Sequence, residues 1–294
     1  MGSNSKIEWT EHTFNPWMGC AKVSTGCANC YAEGIIKRTG QDAWGVHAGR
    51  KMMSDAYWEK PLSWQKKAAA ADRFDRVFCA SMADVFEEHR SPFVNARLLV
   101  ERLRLFSLID ETPNLIWLLL TKRPENIIQY LESEALERWG GAFPDNVCIM
   151  TSVENQEQAG KRIPLLADVP ATYRGLSVEP LIGPLDLSDW LITDTIDWVI
   201  VGGESGPKAR PMHPFWASNL WRQCKQADIP FFFKQWGAWA PTLGRHSVDR
   251  IIGIEGKETG LHIQPMTRLG KKKAGRLLLG TEHNGHPFKH LGIE

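Results

Sequence analysis

No stretch of this chain reaches the eighteen or so apolar residues that span a bilayer, and its opening segment, Met1-Gly-Ser-Asn-Ser-Lys-Ile-Glu8, has no apolar signal core. The expectation is a soluble, cytoplasmic protein with no membrane partner. Net charge is small as well: 35 Lys and Arg stand against 34 Asp and Glu, a net of +1, so nothing predicts a broad attraction to nucleic acid or an anionic surface. Six cysteines are too few for a disulfide scaffold. Internal repeats, low-complexity tracts and a convincing linker are absent as well. What remains is a 294-residue chain whose 43% hydrophobic content can bury one large α/β core or two small ones without help from a metal.

The cysteines that are present are unevenly placed. Cys79, Cys148 and Cys224 lie in apolar runs and read as core residues. Cys20, Cys27 and Cys30 share one segment, Asn15-Pro-Trp-Met-Gly-Cys20-Ala-Lys-Val-Ser-Thr-Gly-Cys27-Ala-Asn-Cys30. They are one thiolate short of a tetrahedral set. A structural zinc site closes its shell with four ligands, whereas an iron-sulfur cluster on three thiolates keeps one iron open. Three readings stay open on the residues alone: such a cluster, a zinc site closed by a distant His12 or His47, or unligated thiols. Cys30 also precedes a predicted helix whose N-terminal end favours negative charge.

Beyond this loop, short apolar runs alternate with amphipathic stretches, the pattern of β/α units around a mainly parallel sheet. Strands are predicted at Val77–Ala80, Leu115–Leu120, Val147–Thr151, Arg174–Val178, Trp198–Val201 and Phe231–Phe233. Helices are predicted from Pro92 to Ile109, with Phe93, Ala96, Leu99, Val100 and Leu103 on the apolar face, from Glu125 to Trp139 and from Pro214 to Ala227. From about Gly237 the sequence turns glycine-rich and basic, culminating in Thr267-Arg-Leu-Gly-Lys-Lys-Lys273, and is expected to be an appendage without a core of its own. That run reads as a solvated tail or as a nucleic-acid contact.

Nearly every predicted strand ends in polar residues: Ser81 and Asp84, then Thr121-Lys-Arg123, Ser152 and Glu154, Ser177 and Glu179, Gly202-Gly203-Glu204, and Lys234-Gln235. In parallel α/β barrels the reacting groups stand at such ends, so these side chains are expected to gather on one rim. Helix capping and rim ion pairs are the competing explanation. The loop Gly202–Gly206 offers backbone N–H groups to an anion, yet it matches neither the phosphate-binding loop nor the dinucleotide fingerprint.

The cysteine loop followed by β/α units with polar strand ends resembles the radical S-adenosylmethionine enzymes. More closely, the stretch from Lys6 to about His290 is similar to the phage gene-product 37/68 family, a group of unknown function. The shared phrases include Ile7-Glu-Trp-Thr10, Gly26-Cys-Ala-Asn-Cys-Tyr-Ala32, Thr121-Lys-Arg-Pro124, Ser152-Val-Glu-Asn155, Ser177-Val-Glu-Pro180 and Phe231-Phe-Phe-Lys-Gln-Trp-Gly237. The resemblance implies a partial (β/α) barrel of about six parallel strands over residues 1–236, with a C-terminal extension over 237–294. It implies a 4Fe-4S cluster on Cys20, Cys27 and Cys30, S-adenosylmethionine on the open iron, and reductive cleavage to a 5'-deoxyadenosyl radical, fed by a reductant such as flavodoxin or ferredoxin.

The spacing departs from the common pattern of that superfamily, being six then two residues between cysteines rather than three then two. Its Gly-Gly-Glu-like turn after the second strand is replaced here by Ser81-Met-Ala-Asp84, while Gly202-Gly203-Glu204 comes later. Ser81 and Asp84 are therefore assigned to the methionine end of the cofactor. Ser152, Glu154, Ser177, Gly202, Gly203 and Glu204 follow as further cofactor contacts, Glu179 and Lys234 as catalytic residues, and Lys122 and Arg123 as groups available for negative charge. A nucleobase, nucleotide or nucleic acid is the expected substrate. The rival is a non-catalytic zinc or iron-sulfur protein that grips nucleic acid or a partner.

Overall fold

The computed structural model describes residues 5, 7–130, 139–242, 248–256 and 260–291. Its main sheet takes β1 (His12–Phe14), β4 (Asp75–Cys79), β5 (Leu115–Thr121), β6 (Val147–Ser152), β7 (Tyr173–Val178), β8 (Trp198–Gly202) and β9 (Phe231–Gln235), in that order, and does not close on itself. Neighbours β1–β4, β4–β5, β5–β6 and β8–β9 run parallel. This is the α/β plan of a partial (β/α) barrel. A short antiparallel pair, β2 (Trp17–Met18) with β3 (Lys51–Met52), lies in the stretch that carries the cysteines.

Packing divides the chain into two units, one of Met1–Ser152, Lys161–Gly175 and Pro287–Glu294, the other of Val153–Gly160 and Leu176–His286. In the first, β5 reads Leu-Ile-Trp-Leu-Leu-Leu-Thr and is buried almost throughout, as a strand covered on both faces must be. Phe14 of β1 packs against Tyr57, Trp58 and Trp117 at 5.1, 5.0 and 5.6 Å between ring centres. Helices α1 (Tyr31–Arg38), α2 (Asp55–Trp58), α3 (Lys60–Ala70), α4 (Pro92–Asp110) and α5 (Ile127–Tyr130) belong to this unit.

Helix α4 has the predicted limits but not the predicted face. Phe93 and Val100 are exposed, and the buried side is Leu98, Arg102, Leu105, Phe106, Leu108 and Ile109. The reason is Arg102, which sits over the Tyr130 ring at 3.6 Å and donates to the carbonyls of Val85 and Glu87 at 2.8 and 3.3 Å. A charged residue at the centre of the packed face hid the phase of the helix. The predicted helix from Glu125 to Trp139 is a 3-10 turn, Pro124–Asn126, running into α5, and its remainder over 131–138 lies outside the described residues.

In the second unit β8 and β9 are wholly buried. The glycine-rich C-terminal stretch forms a three-stranded antiparallel sheet of β10 (Trp239–Pro241), β12 (Gly260–Arg268) and β11 (Arg250–Gly256). Ala238, Trp239 and Met266 of this stretch pack with Ala209, from the loop after β8, in a small apolar cluster. His283–Gly285 runs along the free side of β9, with Phe233 N donating to His283 O at 3.0 Å and Gly285 N to Phe231 O at 3.0 Å. Among the described residues no helix is long and apolar enough to cross a membrane.

Candidate metal centre and strand-end site

The cysteine segment leaves β2 through Gly19, whose φ of +115° suits glycine, and where a Cβ would lie 2.1 Å from the Ala43 carbonyl oxygen. Cys20 then bridges to Trp44, and Gly45 N donates to its carbonyl at 2.9 Å. A 3-10 turn over Thr25–Cys27 brings the chain round to Cys30, which caps the N-terminus of α1. All three thiols are half-buried. Burial pushes the Cys20 thiol up to about 12, against the pull of the Arg123 guanidinium. Burial also raises Cys30, opposed by the backbone N–H groups of Glu33 and Ala32 and by Lys122. Filling such a site releases protons from both.

The donors are three thiols, the chemistry that an iron-sulfur cluster takes. Among the described residues no three His, Cys, Asp or Glu side chains stand as a group around one ion. A cluster does not require that, because each thiolate binds a different iron, whereas zinc draws all its ligands to one point. His12, offered above as a distant zinc ligand, is engaged elsewhere: its Nε2 lies 3.1 Å from Asp75 Oδ2 and its ring stacks on Trp64 at 4.3 Å. Cys79, Cys148 and Cys224 are fully buried, as expected.

The ends of β4, β5 and β6 supply the polar surroundings. Asp84 accepts from Thr121 Oγ1 at 2.6 Å, Phe86 N at 3.1 Å, Lys122 N at 3.0 Å and Arg123 Nη1 at 2.9 Å. It is thus a hub for the loops after β4 and β5. Arg123, taken from sequence as free for an anion, is paired with Asp84 and reaches Cys20 Sγ at 3.6 Å. Lys122 Nζ donates to Ser152 Oγ at 2.8 Å, and Ser81 hydrogen-bonds through its hydroxyl with the Asn15 amide at 3.3 Å. Sequence reasoning missed Asn15, whose Oδ1 also holds Met82 N at 2.7 Å, and the buried pair Arg50–Glu87 at 2.7 Å. The only available hint was Asn15's place beside the cysteine phrase; Arg50 and Glu87 carry no motif.

In the second unit Lys234 donates to both oxygens of Glu179 at 2.8 Å, so these two form a pair rather than independent charges. Gln235 Nε2 adds contacts to Glu179 at 3.5 Å and Ser205 at 3.2 Å. Gly202 lies against that carboxylate, 3.3 Å from where its Cβ would be. Gly203 has a different constraint, since a Cβ there would meet the Trp236 carbonyl oxygen at 2.0 Å. Glu204 is clamped by Arg210 through bonds of 2.6 and 2.9 Å and closes the following loop. Glu154 and Ser177 are buried, and their carbonyls accept from Ile182 N and Val153 N at 3.0 Å.

A sequence model of the family described as "Protein of unknown function (DUF5131)" matches residues 4–287. The chain belongs to this family. No curated protein matches it. Among solved structures it is similar to a spore photoproduct lyase variant with bound AdoMet and dinucleoside spore photoproduct, at 10% identity and a TM-score of 0.42 over 90% of this chain and 72% of that one. Two further variants of the same lyase align at 12% identity: one with a TM-score of 0.46 over 90% of this chain and 71% of that one, the other with 0.48 over 91% and 71%.

Proposed function

We propose that this chain is a radical S-adenosylmethionine enzyme whose 4Fe-4S cluster is held by Cys20, Cys27 and Cys30. The observation that supports it is an all-thiol donor set, one short of a closed shell, with cationic Arg123 and Lys122 from the end of β5 beside Cys20 and Cys30. When bound, the cluster and S-adenosylmethionine supply one-electron cleavage to methionine and a 5'-deoxyadenosyl radical.

The protein's own part is to bind, orient and neutralise. Lys122, steadied by Ser152, offers an ammonium for a carboxylate or phosphate near the cysteine loop. Ser81 and Asp84 fix the loop after β4, Ser81 remaining the candidate contact to the methionine end and Asp84 acting through Arg123. In the second unit Glu179 and Lys234 form the proposed catalytic pair, able to accept and donate one proton between them. Glu154, Ser177, Gly202, Gly203 and Glu204 are assigned to cofactor or substrate. A nucleobase, nucleotide or nucleic acid as substrate, a flavodoxin or ferredoxin as reductant, a cytoplasmic location and the phage gene-product kinship complete the reading.

The test is anaerobic purification followed by iron and sulfide analysis. Four of each per chain is the expected result, with dithionite and S-adenosylmethionine then yielding methionine and 5'-deoxyadenosine. Replacing any one of Cys20, Cys27 or Cys30 by Ala should abolish the iron, while Cys224→Ala keeps it. Full iron in Cys27→Ala, or a loaded protein that neither binds nor cleaves the cofactor, would overturn the proposal.

A further inference from the structure

One arginine reaches the Cys20 sulfur, a second holds the strip that bonds the Cys20 carbonyl, and the two share one carboxylate. Arg123 Nη1 reaches the Cys20 sulfur at 3.6 Å, while its Nη2 donates to Ala21 O at 2.9 Å and lies 3.6 Å from Glu87. Glu87 is held in turn by Arg50 at 2.7 and 2.8 Å. Arg50 then donates to the carbonyls of Ala43, Gly45, Ala48 and Gly49, the strip whose Gly45 N binds the Cys20 carbonyl. With Asp84 on the far side of Arg123, the series runs Arg50, Glu87, Arg123, Asp84, alternating in sign, and every member is buried.

A buried series of four charges is poor value for stability alone, because well-packed apolar residues of the same volume commonly do as well or better. Its charges cancel. What it accomplishes is to hold one N–H donor against the Cys20 sulfur at 3.6 Å. For a given cluster type, hydrogen bonds to the ligating sulfurs, net charge and solvent exposure set the potential of an iron-sulfur centre.

We propose that Arg123 is a positioning residue for Cys20 that, by donating to its sulfur, raises the reduction potential of the cluster Cys20 holds. The inference rests on the cluster reading above. Glu87, Asp84 and Arg50 keep Arg123 in place and do not touch the sulfur themselves.

The experiment uses full-length protein loaded anaerobically, without S-adenosylmethionine or substrate, and reads iron per chain, thermal melting and midpoint potential. Arg123→Met strands Asp84 as an unpaired buried charge, so the double variant Arg123→Met with Asp84→Asn is measured beside it. The expected result is a lower midpoint potential in both, by about 59 mV for each tenfold loss in the one-electron equilibrium. Glu87→Gln, which leaves the Arg123 donor in place, should shift it less. Loss of iron from variants that still melt as wild type would equally support a role in placing Cys20. Full iron with an unchanged potential in either Arg123 variant overturns the inference, and so does failure of both to fold, which would make Arg123 a folding residue. Wild-type protein without iron would instead overturn the cluster reading itself.

Discussion

His12 illustrates how one side chain's role is settled by what lies across the sheet. Burial holds its imidazole below the ordinary 6.5, partly offset by the bond to Asp75. For Asp75 burial acts upward, but the bonds from Arg73 and His12 outweigh it and the carboxyl titrates below 3.8. In both cases the unfolded chain binds protons more readily than the folded one, so stability rises with pH. The His12 contribution is complete above about 6.5 and is lost as pH falls from there through the folded value, and that of Asp75 is lost only below about 3.8. Urea titrations of wild type should therefore show unfolding free energy declining below pH 6.5, and His12→Gln should flatten that part of the curve. An unchanged slope in the variant would remove His12 from the account. At this scale the cysteines were legible because one short segment carries all three. Arg50 and Glu87 were not, since 37 residues separate them and only the fold makes them a pair.

At the scale of elements, α4 offers a direct choice between two faces. The sequence pattern favours Phe93 and Val100, while the packed structure favours Leu98, which is fully buried. Leu98→Ala should cost about 2–5 kcal/mol, whereas Phe93→Ser and Val100→Ser should stay within about 0.5 kcal/mol of wild type by denaturant unfolding. The reverse order would restore the pattern-based face. Strand ends give the other element-level expectation. Glu179→Gln and Lys234→Met each remove one charge of the pair at the ends of β7 and β9 and leave the other unpaired, so each single variant should melt lower, while the double variant Glu179→Gln with Lys234→Met should keep iron content and melting close to wild type. Cofactor affinity or turnover should fall, tenfold for every roughly 1.4 kcal/mol of lost transition-state stabilisation. If the double variant unfolds as well, the bidentate bond of 2.8 Å is a structural ion pair and the catalytic assignment is withdrawn.

For the whole molecule, the C-terminal segment matters most where it lies against β9. His283 and Gly285 cover the backbone of Phe231 and Phe233, and Gly285 O also accepts from Trp198 Nε1 at 2.7 Å. A chain ending at Gly280 would leave an apolar strand with unpaired N–H and C=O groups at the sheet edge. Such a truncation should self-associate in sedimentation experiments at lower concentration than the full chain does. A truncated chain that stays monomeric would show the edge is protected by other means.

By itself the sequence determined the parts that depend on local order. Short apolar runs between amphipathic stretches marked strands β4 to β9 within two residues of their observed limits, and in β5 and at Phe231–Phe233 the run is continuous because burial on both faces imposes that pattern. The spacing of Cys20, Cys27 and Cys30 marked the candidate metal centre because one short segment carries all three. Tertiary structure alone decided which of the polar strand-end residues are already spoken for: Arg123 by Asp84, Lys234 by Glu179, Glu204 by Arg210. It also decided the face of α4 and the apolar cluster that joins Trp239 and Met266 to Ala209. Charge pairing and side-chain packing depend on distances between residues far apart in the chain, and these exist only once the backbone has folded.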